Sequence, residues 1–151
     1  MSFVTGDLNG AGLRMAVARA QFNTRITDGL LEGALAALDK AGVSEPTVVE
    51  VPGAFDLPLA VQRLAESGHD AVVAIGAVVE GETDHYEHIA QRASEGLMRV
   101  MLDTGVPVTF GVLTVRDATH ALARSASDEH NKGAEAAEAA VVLANLLKQL
   151  A

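Results

Sequence analysis

The sequence predicts an α/β protein, a three-layer α/β/α sandwich built on a four-stranded parallel sheet. Three observations carry that expectation. Short runs rich in Val and Ala alternate with segments of helical spacing, the pattern of right-handed crossovers between parallel strands. The strand candidates are continuous apolar stretches, as expected where both faces of a sheet are covered. The chain of 151 residues has the length of one domain, and no stretch rich in Gly, Pro or Ser is long enough to divide it. Residues 1–151 are therefore expected to form a single domain.

The elements follow in order. Leu13 to Ala20 is the first strand. Ile26, Leu30, Leu31, Ala34, Leu35 and Leu38 then share one helical face, and Gly42 stops that helix. Thr47 to Val51 is the second strand, after which Leu57, Val61, Leu64 and Ala65 repeat the helical spacing up to Gly68. Ala71 to Val79 is the third strand. Ile89, Ala93, Leu97, Val100 and Met101 mark a third helix ahead of Gly105, and Val106 to Thr114 is the fourth strand. Ala118 to Ala126 reads as a short helix and Ser125 to His130 as a surface loop. Asn131 to Leu150 is a long Ala-rich helix, suited to packing on its own sheet or on a neighbouring subunit. An open sheet of the flavodoxin-like type is the simplest architecture that holds these elements.

Composition narrows the function. Apolar residues at 49% and charged residues at 21% belong to a folded chain, not a disordered one. With 11 basic against 20 acidic residues the net charge is −9, which argues against broad nucleic-acid binding. The absence of cysteine excludes a disulfide framework, a thiolate nucleophile and cysteine-ligated zinc. Met1 to Leu13 shows no secretory pattern, and no apolar run approaches the roughly 18 residues of a membrane span. A cytoplasmic location without membrane partners is the expectation.

Ligands of open α/β sheets bind beyond the carboxyl ends of the strands. There the sequence places Phe22 and Asn23 after the first strand, Gly53-Ala54-Phe55-Asp56 after the second, and Gly81-Glu82-Thr83 with His85 after the third. Phe22 and Phe55 suit a flat ligand, or else plug the ends of the core. The Gly81–Thr83 turn opens a helix, whose unpaired N–H groups attract a phosphate or carboxylate. The alternative reading of Thr83 or Asp84 is a simple N-cap. His85, in the first turn, sits where the helix dipole favours the neutral ring, able to accept a proton beside an anion site, or is a solvated surface histidine. His85 and His88 share a helix face, but the third ligand and spacing of a catalytic metal site are missing, so no metal is expected. Neither G-x-x-x-x-G-K-[ST] nor G-x-G-x-x-G occurs. Arg124 and Lys132 follow no strand, so if they serve the site an adjacent subunit supplies them.

Five ordered words resemble the 6,7-dimethyl-8-ribityllumazine synthase family: Phe22-Asn23 with Ile26-Thr27 and Leu30-Leu31-Glu32-Gly33-Ala34; Val51-Pro52-Gly53-Ala54-Phe55; Gly76-Ala77-Val78-Val79 with Gly81-Glu82-Thr83 and His85; Phe110-Gly111-Val112-Leu113-Thr114; and Asn131-Lys132-Gly133 with Glu135-Ala136-Ala137. The resemblance implies a transferase of riboflavin biosynthesis without metal or organic cofactor. It would condense 5-amino-6-(D-ribitylamino)uracil with 3,4-dihydroxy-2-butanone 4-phosphate. By the same resemblance Phe22 stacks on the pyrimidine, and Gly53, Ala54, Phe55 and Asp56 follow the ribityl chain. Val78 and Val79 touch the ring, Gly81, Glu82 and Thr83 cradle phosphate, and His85 shuttles protons. Phe110, Arg124 and Lys132 come from the neighbouring subunit, with Glu135 paired near the lysine. The implied assembly is a homopentamer, in some members stacked or closed into shells, with active sites shared between subunits.

The chain departs from the family pattern at Glu80, where Arg is usual, at Asp56, where Glu is usual, and at Asp84, where Pro is common. Two other functions stay open on the same scaffold. One is a non-catalytic shell that binds lumazine or flavin, favoured by Glu80. The other is an archaeal-type riboflavin synthase, which dismutates two lumazines.

Overall fold

The computed structural model describes residues 1–151. Strands β1 (Met15–Ala20), β2 (Thr47–Val51), β3 (Ala71–Val79) and β4 (Val108–Val115) form one parallel sheet in the order β2-β1-β3-β4. Helices α1 (Thr24–Lys40), α2 (Leu57–Glu66), α3 (His85–Thr104), α4 (Ala118–Ser125) and α5 (Lys132–Leu150) flank it, with a short 3₁₀ turn at Ala54–Asp56 before α2. The expected class and element order are those observed, and the strand boundaries move by two residues at the starts of β1 and β4.

Chain direction explains the layers. The chain steps from β1 to β2 one way, then returns past β1 to β3 and on to β4. Right-handed crossovers then require α1 on one face and α2 with α3 on the other. Strand residues alternate accordingly. Met15, Val17, Val73 and Ile75 pack with Leu30 and Leu38 of α1 and Ala137, Ala140 and Val141 of α5. Ala16, Ala18, Val72 and Ala74 pack with Leu57 and Val61 of α2 and Leu97 and Val100 of α3.

Two points left by the sequence are decided here. The Ala-rich α5 covers its own sheet and lies against α1. At Gly133 a β-carbon would stand 2.0 Å from the Leu30 carbonyl oxygen, so the two backbones meet directly. The expectation that both faces of every strand are covered fails at β2, where Thr47, Val48 and Glu50 are exposed. The flanking helices centre on β1 and β3, and β2 overhangs them as an edge strand.

One polar residue is built into the interior of the sheet. Arg19 is buried on β1, in register with Glu50 of β2. Its guanidinium donates to Glu50 Oε2 at 2.8 Å, to Thr27 Oγ1 at 3.1 Å and to the Asp28 carboxylate. Hydrogen bonds from Arg19 and from Gln21 hold Glu50 below its usual carboxylate range. A depressed carboxylate stabilises the fold fully above its ordinary pKa of 4.5, and that contribution is lost as pH falls through the lower folded value. Thermal denaturation followed across that interval is expected to show a smaller acid-induced loss in Glu50→Gln than in the parent. Equal losses in the two proteins would rule the linkage out.

Candidate active site

The connections out of β1 diverge from those that follow, so the crevice at the carboxyl ends of β1 and β3 is the switch point where such sheets bind ligands. The chain builds that crevice from short, tied turns. Gln21 and Phe22 donate their N–H groups to Val51 and Pro52 at 2.8 and 2.9 Å, carrying the β1–β2 pairing past the strand end. Asn23 then turns the chain in the left-handed region (φ 63°), a conformation Asn tolerates better than most residues. Its side-chain amide donates to the Ala77 carbonyl at 2.9 Å and ties the start of α1 to β3. Phe22 is left standing outside the core, 72% exposed, and Phe55 across from it is 59% exposed. Neither ring plugs the core.

A cavity of about 490 Å³ opens between them. Of the residues expected at the site, Phe22, Asn23, Gly53, Ala54, Phe55, Asp56, Val78, Val79 and His85 line it. Pro52, Ala77, Tyr86 and Ile89 complete the wall. Ile89 reads in sequence as a core position of a helical stripe, and only its place one turn after His85 pointed to the cavity. Asp56 is partly committed elsewhere, because its Oδ2 accepts the Gly53 N–H at 2.9 Å within its own turn. Gly81, Glu82 and Thr83 are exposed and do not line the cavity. Thr83 Oγ1 accepts the His85 N–H at 3.4 Å, and Asp84, the N-cap of α3, makes no side-chain capping bond. Glu87 and His88 donate their N–H groups to the Asp84 carbonyl at 3.0 and 3.4 Å, so the backbone donors left at this edge are those of the Gly81–Thr83 turn and of Tyr86.

The remaining expected residues form a separate cluster. Phe110, 47% exposed, lines a groove of about 540 Å³ along β4 with Arg124, Lys132 and Glu135. Arg124 donates to the His120 carbonyl at 3.1 Å, and Lys132 Nζ lies 2.9 Å from Glu135 Oε2. No residue lines both spaces. The first space holds aromatic rings and a histidine, and the second holds the basic side chains.

Residues 12–148 match the family model described as 6,7-dimethyl-8-ribityllumazine synthase. The chain belongs to that family. It is 48% identical over 148 residues to the 6,7-dimethyl-8-ribityllumazine synthase of Thermococcus gammatolerans, covering 97% of this chain and 96% of the relative. A protein of the same name from Kineococcus radiotolerans is 49% identical over 137 residues, covering 89% and 85%. Another from Xanthomonas euvesicatoria is 45% identical over 153 residues, covering 99% of each.

Within this lumazine synthase framework the departure at Glu80 has a local partner. Its N–H donates to the Val115 carbonyl at 2.9 Å, continuing the β3–β4 ladder by one step. Its carboxylate lies 3.6 Å from Arg116 Nε, on the side of β4. Asp84, the other acidic departure, lies 3.3 Å from His88 Nε2.

Proposed function

We propose that the chain condenses 5-amino-6-(D-ribitylamino)uracil with 3,4-dihydroxy-2-butanone 4-phosphate to 6,7-dimethyl-8-ribityllumazine, in a site completed by a second copy of itself. The observation that carries this reading is the division of the site residues between two spaces on one chain. Phe22 offers a platform for the pyrimidine, Gly53 to Phe55 a channel for the ribityl chain, and Val78 with Val79 an apolar wall. His85 moves protons during imine formation and phosphate loss. The rim at Gly81, Glu82 and Thr83 faces the phosphate, and Arg124 and Lys132, with Glu135 beside the lysine and Phe110 below, arrive from the neighbour. Amine and ketone are reactive partners on their own, so holding them in register supplies much of the acceleration.

Two different surfaces that complete each other make a head-to-tail contact, which closes into a ring and not into a two-fold dimer. The homopentamer implied by the resemblance is such a ring. Both edges of the sheet are bare, and bare edges invite pairing with another chain. The segment before β1 is tethered to α5, where Asn145 and Gln149 donate to the carbonyls of Asp7 at 3.0 Å and Thr5 at 2.6 Å. Phe3 beyond the tether is 88% exposed, an apolar side chain available to a neighbour.

Mixing tests the shared site. His85→Ala and Arg124→Ala are each expected to be nearly inactive alone. Unfolded and reassembled together at equal amounts, they should recover about a quarter of the parental lumazine-forming rate, the fraction of contacts that unite two intact halves. A mixture no more active than its components would exclude a site shared between copies.

A further inference from the structure

The turn after β3 is an unpromising place for a phosphate on charge alone. Glu80, Glu82 and Asp84 stand on it, flanking Gly81 and Thr83. Asp84 is engaged by His88 and Glu80 by Arg116, and Arg116 is the only arginine or lysine paired with any of the three. The position of Arg116 is set from both sides. Val115 before it pairs in register with Val79, so the next residue on each strand, Arg116 and Glu80, emerge side by side. Asp117 after it caps α4, accepting the Thr119 N–H at 2.8 Å and the Thr119 hydroxyl at 2.6 Å. The backbone on either side of Arg116 is thus anchored, and its side chain lies across the gap beside the Glu80 carboxylate.

We infer that Arg116 is a positioning residue for the phosphate-bearing substrate: it draws the Glu80 carboxylate towards β4 and offsets its charge, so that the Gly81–Thr83 rim accepts an anion. The inference rests on the reading of that rim as the phosphate side of the site. Arg116 is largely exposed and Glu80 nearly half exposed, so the pair adds little to the fold, and its effect falls on the charge that the substrate meets. The effect weakens with salt, because exposed charges are screened over about 8 Å at physiological ionic strength.

Steady-state rates of lumazine formation by the assembled protein test this, with each substrate varied in turn. Arg116→Ala is expected to raise KM for the butanone phosphate about fivefold at low salt, the size of an exposed ion pair. The turnover number and KM for the ribitylaminouracil should hold. Arg116→Lys should restore most of the loss. Glu80→Gln combined with Arg116→Ala should return KM to the parental value, because no carboxylate remains to be offset. An unchanged KM in Arg116→Ala would overturn the inference. So would a double variant as impaired as the single one, which would assign Arg116 to direct phosphate contact. A parent protein forming no lumazine above the uncatalysed rate would overturn both this inference and the proposed reaction.

Discussion

His85→Ala is expected to slow lumazine formation about 100-fold, the lower end of the range for a positioned general acid–base group. Imine formation expels water and the later step expels phosphate, and both require a proton to move at a defined place. His85 is the only histidine lining the cavity, and as the first residue of α3 it is held at the edge where the rim and the apolar wall meet. Its side chain is exposed and carries none of the core, so the variant should keep the parental melting temperature and assembly size. The turnover number should fall while KM for both substrates changes little, because the ring acts on the transition state and not on binding. A rate within a factor of about two of the parent, in an intact assembly, would remove His85 from the chemistry and leave proximity as the main source of acceleration.

Asn131→Ala is expected to cause a large loss of stability for a single substitution away from the apolar core. Asn131 is buried, and its side-chain amide reaches the carbonyls of Gly29, Ser125 and Ala126 at 3.0, 3.2 and 2.9 Å. Its Oδ1 accepts the Ala134 N–H at 3.0 Å and caps α5. One side chain thus joins α1, the end of α4 and the start of α5. Gly33 makes room for it, since a β-carbon there would stand 2.1 Å from Asn131 Oδ1. Alanine leaves the buried Ser125 carbonyl and the Ala134 N–H without partners and removes a second hydrogen bond from the Gly29 and Ala126 carbonyls, at a cost of about 3 kcal/mol. That corresponds to a fall of about 10 °C in melting temperature for a chain of this size. Asn131→Ser should recover about 1 kcal/mol by restoring the cap alone. Asn131→Asp should recover nothing, because it sets a carboxylate against carbonyl oxygens. A melting temperature for Asn131→Ala within about 3 °C of the parent would refute this account. Lys132 and Glu135 start from this anchor, so activity should fall with stability.

Much of the fold was legible because its signals are local. Apolar runs and helical stripes repeat over a few residues, and Gly42, Gly68 and Gly105, all with positive φ, end helices in the way glycine favours. The aromatic edge of the site was legible for a related reason. In a parallel sheet the carboxyl ends of the strands all point one way, so Phe22, Phe55 and His85 meet wherever the strands lie. Asn131 stood in a family-like word, yet its weight was hidden. Its partner Gly29 is 102 positions away, and no local pattern marks such a bond.

By itself, then, the sequence determined the strand–helix alternation, the strand-end residues of the cavity and the helix start that carries His85, all consequences of short-range periodicity and of strands sharing a direction. Tertiary structure alone decided the rest. Strand order put Phe110, Arg124 and Lys132 on the far edge from β2, apart from the cavity. Register set Arg116 beside Glu80, and the turn after β2 drew Asp56 back to the Gly53 N–H. Overhang left β2 uncovered despite its apolar run. These are contacts between residues that the chain brings together only by choosing which strands are neighbours, and that choice follows from how the two cores pack on the finished sheet.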